Sequence, residues 1–167
     1  IIDNTSASPA TFRFGAGDAT VNLGGGTGTY TIQNSGGGAL SLVKLGNTST
    51  IIPSGVSLNH QGTTRVEGGS LTIGSPINGS TALEVTANAT LALTGGITAP
   101  SAVTSLVVEN GGVLNLLDGA GNKLNNLNNL QLGSMGGTLT TMFLNVGDLN
   151  VVGDQLGTDT LTLQNLG

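Results

Sequence analysis

The acidic side chains that lie closest together in the sequence are Asp148, Asp154 and Asp159. Asp148 and Asp154 each follow a glycine, so both are expected at turns of the chain. Carboxylate oxygens on successive turns are ligands that Ca²⁺ takes in proteins. The segment lacks the tight glycine-rich nonapeptide of a calcium-binding β-roll. We therefore predict solvated turn residues and assign no metal ligand, with a calcium site at these three residues as the open alternative.

Catalysis would need a base, a nucleophile or a pair of carboxylates in one place. His60 is the single histidine and stands in a polar stretch, residues 59–62. We predict that it is an exposed loop residue rather than a general base. Arg13 and Arg65 are the two arginines, and we predict surface residues next to strands. No serine or cysteine nucleophile motif accompanies them, so the sequence predicts no catalytic and no cofactor-binding residue.

The remaining candidates for chemistry are acids that are spread along the chain. All nine are Asp3, Asp18, Glu67, Glu84, Glu109, Asp118, Asp148, Asp154 and Asp159. A coiled fold can bring distant positions together, and glycoside hydrolysis uses paired carboxylates. A polysaccharide-cleaving enzyme therefore remains open as an alternative.

The charge pattern excludes several kinds of partner. The four bases, Arg13, Lys44, Arg65 and Lys123, stand far apart in a chain of net charge −5. Such a chain has no basic stripe for a nucleic-acid backbone. No cysteine is present, so the chain has no disulfide or thiolate metal site. No apolar run approaches the roughly 20 residues of a membrane-spanning helix, so we predict neither a nucleic-acid partner nor a transmembrane segment.

The composition also limits the secondary structure that must position these residues. Glycine supplies 29 of 167 residues, and only 8% are charged, so strong helix formers such as Glu, Lys and Arg are scarce. We predict no substantial α-helix. The best helix candidate, 120–132, has leucines at a spacing of three rather than 3.6, and Asn residues between them favour turns. We interpret it as turn and wall of a β-structure.

Short alternating units of the type apolar-polar-apolar recur along the chain, with Gly-, Asn- or Ser-bearing turns between them. Period two over three to five residues indicates a short strand with one buried face. The units include Val21-Asn22-Leu23, Tyr30-Thr31-Ile32, Leu40-Ser41-Leu42, Leu71-Thr72-Ile73, Leu83-Glu84-Val85, Leu91-Ala92-Leu93, Leu106-Val107-Val108, Leu114-Asn115-Leu116, Leu130-Gln131-Leu132, Leu149-Asn150-Val151 and Leu161-Thr162-Leu163.

Two architectures fit this pattern: a sandwich or barrel of antiparallel hairpins, and a β-solenoid in which the chain coils and each strand stacks on its equivalent one coil away. Sandwich cores usually contain large rings, whereas only 2% of this chain is aromatic. Strands of three to five residues are also short for a stable sandwich. The sequence favours the solenoid, with leucine, valine and isoleucine stacked inside it. A charge at Leu71, Leu91 or Leu161 should then collapse the fold.

Three segments resemble a known repeat. Residues 65–74, RVEGGSLTIG, look like the closing half of the autotransporter-associated β-strand repeat, in which a valine and a Gly-Gly pair precede a Leu-Thr-Ile or Leu-Thr-Leu strand. Residues 26–32, GTGTYTI, are similar to its opening half, and residues 106–116, LVVENGGVLNL, to a variant of the closing half. The resemblance implies a right-handed parallel β-helix with three short strands per coil, in large secreted or surface-displayed bacterial proteins. Unit spacing in this chain is less regular than in that family.

These observations together predict an all-β chain, residues 1–167, that forms one β-solenoid domain and is a segment or processed product of a longer chain. The coil length that the family implies gives the domain about seven coils. We expect an extracellular, structural or adhesive protein of the bacterial surface, without enzymatic activity. Terminal coils expose unpaired backbone groups, so we expect end-to-end stacking of copies into a filament or rod, with a fragment of a longer rod as the other interpretation.

Outward threonines in alternation could form arrays that bind carbohydrate or ice, but these positions do not repeat at one fixed interval. Because such arrays could bind sugars, host or matrix glycans are a further expected class of partner. The alternative function is that of a carbohydrate-binding or polysaccharide-cleaving β-helix protein.

Overall fold

A computed structural model of the chain describes residues 1–17, 21–22, 29–77, 79–95, 102–109, 111–116, 123–127, 129–132, 143–145 and 148–151. All strand pairs among these residues are parallel, and none of these residues lies in a helix. Each strand lies against its counterpart from the preceding coil. The predicted all-β, parallel β-solenoid is therefore confirmed, and the antiparallel sandwich is wrong.

The first three coils contain three described strands each. They are β1 (Ile2–Asp3), β2 (Ala10–Phe14) and β3 (Val21–Asn22) in the first coil, β4 (Tyr30–Gln33), β5 (Leu40–Lys44) and β6 (Ser49–Ile52) in the second, and β7 (Val56–Asn59), β8 (Gln61–Val66) and β9 (Gly69–Ile73) in the third. The later strands are β10 (Ala82–Val85), β11 (Ala89–Leu93), β12 (Ser105–Val108), β13 (Val113–Leu116), β14 (Lys123–Leu127), β15 (Asn129–Leu132), β16 (Phe143–Asn145) and β17 (Asp148–Val151).

The described strands form four sheets that run along the stack of coils. The short sheet contains β1, β4 and β7, and the first long sheet contains β2, β5, β8, β10, β12 and β15. The second long sheet contains β3, β6, β9, β11, β13 and β16, and β14 pairs with β17. Six coils thus contribute a strand to each long sheet in the described part of the chain. The sequence predicts about seven coils for the whole chain.

Coil length varies although the register of the strands is kept. The coil that leads from Thr63 to its partner Ala82 is short, whereas the coil that leads from Ala10 to its partner Leu40 is much longer. The corner that joins the short sheet to the first long sheet also varies in length. It spans residues 4–9 in the first coil and 34–39 in the second, but consists of His60 alone in the third.

The core is made of inward positions that repeat from coil to coil. In the second long sheet Leu71, Leu91 and Leu114 occupy one such row, and all three are fully buried. Leu71 and Leu91 are thus confirmed as core residues, while Leu161 lies outside the described residues. Stacked aliphatic side chains remove apolar surface from water at about 25 cal/mol per Å², which makes these rows the main source of stability.

Glycine at position 38 is required by the close approach of two corners. The buried Asn4 side chain donates a hydrogen bond to the carbonyl oxygen of Gly38 over 2.8 Å. A Cβ at position 38 would overlap the backbone of Ser8 and lie 2.8 Å from the backbone carbon of Ala7. We expect Gly38→Ala to destabilise the chain by about 3 kcal/mol in urea unfolding, because backbone atoms cannot swing aside as a side chain can.

The matched control for this variant is Gly17→Ala. A Cβ at Gly17 would meet nothing within 4 Å, and alanine restricts the unfolded chain more than glycine. Gly17→Ala should therefore leave the urea midpoint unchanged or raise it slightly. Equal midpoints for the two variants would contradict the tight packing of the corners.

Candidate functional site

The largest group of charged side chains in the described part of the chain lies on the outer face of the first long sheet. Arg13 in β2, Val43 in β5, Arg65 in β8 and Glu84 in β10 follow one another in register at outward positions. Glu67 comes directly after β8. Because the coils stack in register, Arg65 and Glu84 become neighbours although they are 19 positions apart in the sequence.

The two arginines and two glutamates of this charged row are paired with one another. Arg65 Nη1 donates to Glu84 Oε2 over 2.6 Å, and Arg65 Nε donates to Glu67 Oε1 over 2.9 Å. Arg13 Nη1 lies 3.8 Å from the other oxygen of Glu67. Val43, between the two arginines in register, is only 5% exposed.

The electrostatics of the charged row favour a stabilising role. The hydrogen bond to Glu84 is the largest of the effects that raise the pKa of Arg65, so this guanidinium stays protonated and cannot accept a proton. Both carboxylates are engaged by Arg65. The side chains are about one-third exposed, and exposed ion pairs contribute about 0.2 to 1 kcal/mol each. The row therefore ties the first, third and fourth coils together and presents no free acid and base pair.

Asp3, another of the nine acids, is also engaged by a neighbouring coil. Its carboxylate accepts hydrogen bonds from Gln33 Nε2 over 2.9 Å, from Ser35 N over 2.8 Å and from Ser35 Oγ over 2.7 Å. These bonds lower the pKa of Asp3, with the Gln33 side chain as the largest cause. Asp3 thus secures the corner of the second coil.

His60 is buried, and the prediction of an exposed loop residue is wrong. Its side chain is 0% exposed, and Nε2 lies 3.0 Å from Thr64 Oγ1. Thr64 Oγ1 lies 3.0 Å from Ser80 Oγ, and both of these side chains are also fully buried. Removal of the imidazole from water lowers the pKa of His60 to about 4. His60, Thr64 and Ser80 form a chain of hydrogen bonds that we call the histidine corner.

Lys44 is a buried cation that the sequence analysis did not single out. The side chain is 0% exposed, and Nζ donates to the carbonyl oxygens of Leu45, Gly46 and Gly68 over 2.5, 3.0 and 3.2 Å. Burial lowers the pKa of Lys44. The alternation along β5 could have predicted this burial. Leu40 and Leu42 point inward, and Lys44 is the next position on the same face of the strand.

The arginines and acids also require a correction in their placement. Arg13 and Arg65 lie within β2 and β8 rather than beside strands. Glu67 and Glu84, which stand alone in the sequence, are brought together by the coils around Arg65. The separation of Arg65 from Glu84 equals the length of the coil between them, but coil length differs along the stack, so the sequence offers no fixed repeat from which to predict the pair.

The predicted calcium alternative falls largely outside the described part of the chain. Asp148 begins β17, whereas Asp154 and Asp159 are not among the described residues. Within those residues no three histidine or acidic side chains form a group that could hold a metal ion. The same residues include no helix of the length and apolarity needed to cross a membrane.

The described residues define a parallel β-solenoid in which polar and charged side chains bind neighbouring coils. Comparisons of the chain with protein-family models, with curated proteins and with solved structures give no match. The resemblance to the autotransporter-associated repeat therefore stays a prediction from the sequence.

Proposed function

We propose that the protein is a structural β-solenoid module whose first coil binds a coil of a second copy, so that copies join end to end into a rod. The single observation that carries this proposal is that the described residues leave the apolar edge of the first coil uncovered. We call it the open edge. We further propose an extracellular position on the bacterial surface, on the strength of the sequence resemblance and of the nearly uncharged composition.

The backbone of β2 supports pairing on its open side. Ala10 N donates to Ala39 O over 2.9 Å, and Phe14 O accepts from Leu45 N over 2.8 Å, so these residues bond toward the second coil. In parallel sheets the backbone groups of alternate residues point to opposite neighbours. Thr11 and Arg13 therefore direct their N–H and C=O groups away from the second coil, where another strand can pair with them.

The described residues also cover the core incompletely at this edge. Ile2, Ala10 and Phe12 occupy inward positions but are only half-buried. Their partners in the second coil, Ile32, Leu40 and Leu42, are 3%, 4% and 0% exposed. A further coil placed against the first would bury this apolar surface, which favours association through the hydrophobic effect.

We propose β15 of a second copy as the partner strand, because β15 lies at the other end of the described part of the first long sheet. The register that begins at Phe12 continues through the first long sheet to Leu130 in β15. A copy added one coil before the first would place its Leu130 next to Phe12 and its uncharged Gln131 next to Arg13. Apolar and neutral residues thus meet the open edge, and no like charges oppose each other.

A proline at position 11 tests the proposal, because it removes an N–H from the open side and none from the bonds to the second coil. We expect the wild-type chain to form rods in electron microscopy and to sediment as a concentration-dependent oligomer. Thr11→Pro should sediment as single chains with the same β-sheet circular dichroism.

Thr11→Val serves as the matched control, since it keeps the N–H and should still assemble. The proposal would be overturned if the wild-type protein stayed a single chain at high concentration. It would also be overturned if Thr11→Pro formed rods as readily as Thr11→Val. If the particles are single chains, an array of glycans tests the remaining adhesive function.

A further inference from the structure

The histidine corner lies where the architecture of the solenoid changes. The short sheet ends at β7, and among the described residues the fourth coil adds to it only a single bridge between Leu58 and Ile77. At the same place the pairing of β5 with β8 is irregular between Leu40 and Leu42. Gln61, directly after His60, has a φ of 48°, a left-handed conformation that is uncommon for a residue with a side chain. The contacts of the third coil are therefore weak at this place, toward the second coil as well as toward the fourth.

The hydrogen bonds of the corner fix the direction of its protons. Ser80 Oγ lies 3.0 Å from both Gly62 O and Ala82 O, which can only accept. If Ser80 donates to one of these carbonyls, it accepts from Thr64, and Thr64 in turn accepts from His60 Nε2–H. This assignment leaves Nδ1 without a proton. The opposite direction would bury an Nδ1–H without an acceptor, which is the costlier arrangement.

Nδ1 of His60 is buried and has no hydrogen-bond partner in the described part of the molecule. A proton on Nδ1 would create a positive charge and a second N–H donor there, with no acceptor for it. Burial of an unpaired charge is far more costly than burial of a neutral group. The closed corner therefore excludes the charged imidazole, and an opened corner admits it.

No carboxylate compensates for such a charge from the segments that pack on the corner. Residues 30–42 of the second coil and 79–83 of the fourth include no acidic side chain. Their one titratable group is the phenol of Tyr30. Asp3 lies two strands away in register through Gln33 and Asn59, and it is bonded to the second coil.

The charged groups on the adjoining strands are engaged elsewhere. On the outer faces of β8 and β10, Arg65 and Glu84 bind each other. At the far end of β5, the Lys44 ammonium binds carbonyl oxygens. The described structure therefore gives a protonated His60 no counter-charge.

We propose that the histidine corner is an acid-sensitive joint, at which protonation of His60 opens the local contacts of the third coil with the second and fourth coils while the second long sheet stays paired. The proposal concerns contacts within one chain and is independent of end-to-end stacking. Its function is to loosen the stack of coils within one chain locally when the surroundings become acidic.

The sign of the effect follows from the preference of the closed corner for neutral imidazole. His60 has a pKa of about 4 in the closed corner, and an ordinary histidine has a value of 6.5. The closed state is fully favoured above pH 6.5. As the pH falls below that value the opened state binds the proton first, and the loss grows until about pH 4, where the closed corner is protonated as well. The opening equilibrium should change by roughly 300-fold over this range, the ratio that corresponds to the difference between the two values.

Amide hydrogen exchange of the full chain, read residue by residue at pH 7, 5.5 and 4.5, tests the joint. The amides of Leu40 and Thr81 bond to His60 O and Gly62 O, and they should lose protection by up to about two orders of magnitude in acid. The amides of Gly74 and Thr94, which bond to Ile52 O and Ile73 O, serve as internal controls and should keep theirs.

His60→Gln retains an amide donor for Thr64 and lacks a basic nitrogen, so its corner amides should show no such loss in acid. Equal loss of protection at all four amides would overturn the proposal, as would unchanged protection of Leu40 and Thr81 at pH 4.5. The same acid response in His60→Gln would also overturn it.

A second measurement covers the case in which His60→Gln does not fold. His60 is the single histidine, so its ring proton resonance in the wild-type chain is unambiguous. We expect this resonance to titrate well below pH 6.5, after the corner amides have begun to lose protection, because most chains are still closed at that point. Titration near pH 6.5 with the corner amides still protected would show that the ring is charged without opening, and would overturn the proposal.

Discussion

Leu91→Asp is expected to abolish the folded state at 25 °C. Leu91 is 0% exposed and lies between Leu71 and Leu114 in one inward row. Loss of a buried leucine costs about 2 to 5 kcal/mol, and an isolated carboxylate buried without a partner adds several kcal/mol more. The sum is comparable to the net stability of a typical domain, about 5 to about 15 kcal/mol, so circular dichroism should show no cooperative melting.

The neighbouring residue provides the control for this result. Ala92 follows Leu91 in β11 but lies at an outward, half-buried position between Thr72 and Asn115. Ala92→Asp places the same charge one residue away, at the water-facing surface, and should melt cooperatively within a few degrees of the wild type. Similar melting of Leu91→Asp and Ala92→Asp would show that the inward row is assigned wrongly.

Lys44→Glu is expected to have the second largest effect, a loss of about 5 kcal/mol or more in the free energy of unfolding. Three carbonyl oxygens surround the ammonium in a fully buried position. A carboxylate there would face these oxygens without a donor, and an unpaired buried charge is strongly destabilising. Urea unfolding followed by circular dichroism measures the loss.

Lys44→Met separates the charge from the packing. It keeps a long side chain but removes the three hydrogen bonds, so we expect a smaller loss, about 2 to 3 kcal/mol. Arg13→Met is the matched control, because the Arg13 side chain is 57% exposed and its ion pair contributes at most about 1 kcal/mol. If Lys44→Met is as stable as the wild type, the free-energy cost of removing the ammonium from water equals the free energy gained from its three hydrogen bonds.

Alternation along the sequence was sufficient to predict most strands of the solenoid. The units around Leu71, Leu83, Leu91 and Leu106 lie in β9, β10, β11 and β12, with their apolar residues buried. Each of these strands has large apolar side chains on the inner face and mostly small or polar ones on the outer face, so period two is visible in the residue types.

Strand β8 escaped the same pattern for a physical reason. Its inward residues are Gly62, Thr64 and Val66, of which only the last is a large apolar residue. Gly62 is needed for close approach to the backbone at Leu40, and Thr64 belongs to the histidine corner. The polar sequence of residues 59–62 therefore resembled a turn, and the burial of His60 could not be predicted from it.

The segment 120–132 shows the limit of propensity arguments. Its asparagines favour turns in isolation. The interpretation as turn and wall did not predict that most of the segment forms strands. Residues Lys123–Leu127 and Asn129–Leu132 form β14 and β15, which pair with β17 and β12. Backbone pairing with stacked neighbours overrides the local preference of the asparagine residues.

The unequal corners of the first three coils have a practical consequence. The longer corners, 4–9 and 34–39, and the single residue His60 connect the same two sheets without a change in strand direction. The length of this corner can thus change without a change in how the strands on either side of it align. Foreign side chains placed on the exposed residues 5–8 could be displayed on a regular scaffold with the backbone contacts of this corner kept, whereas insertions into the tight third corner would push its strands apart.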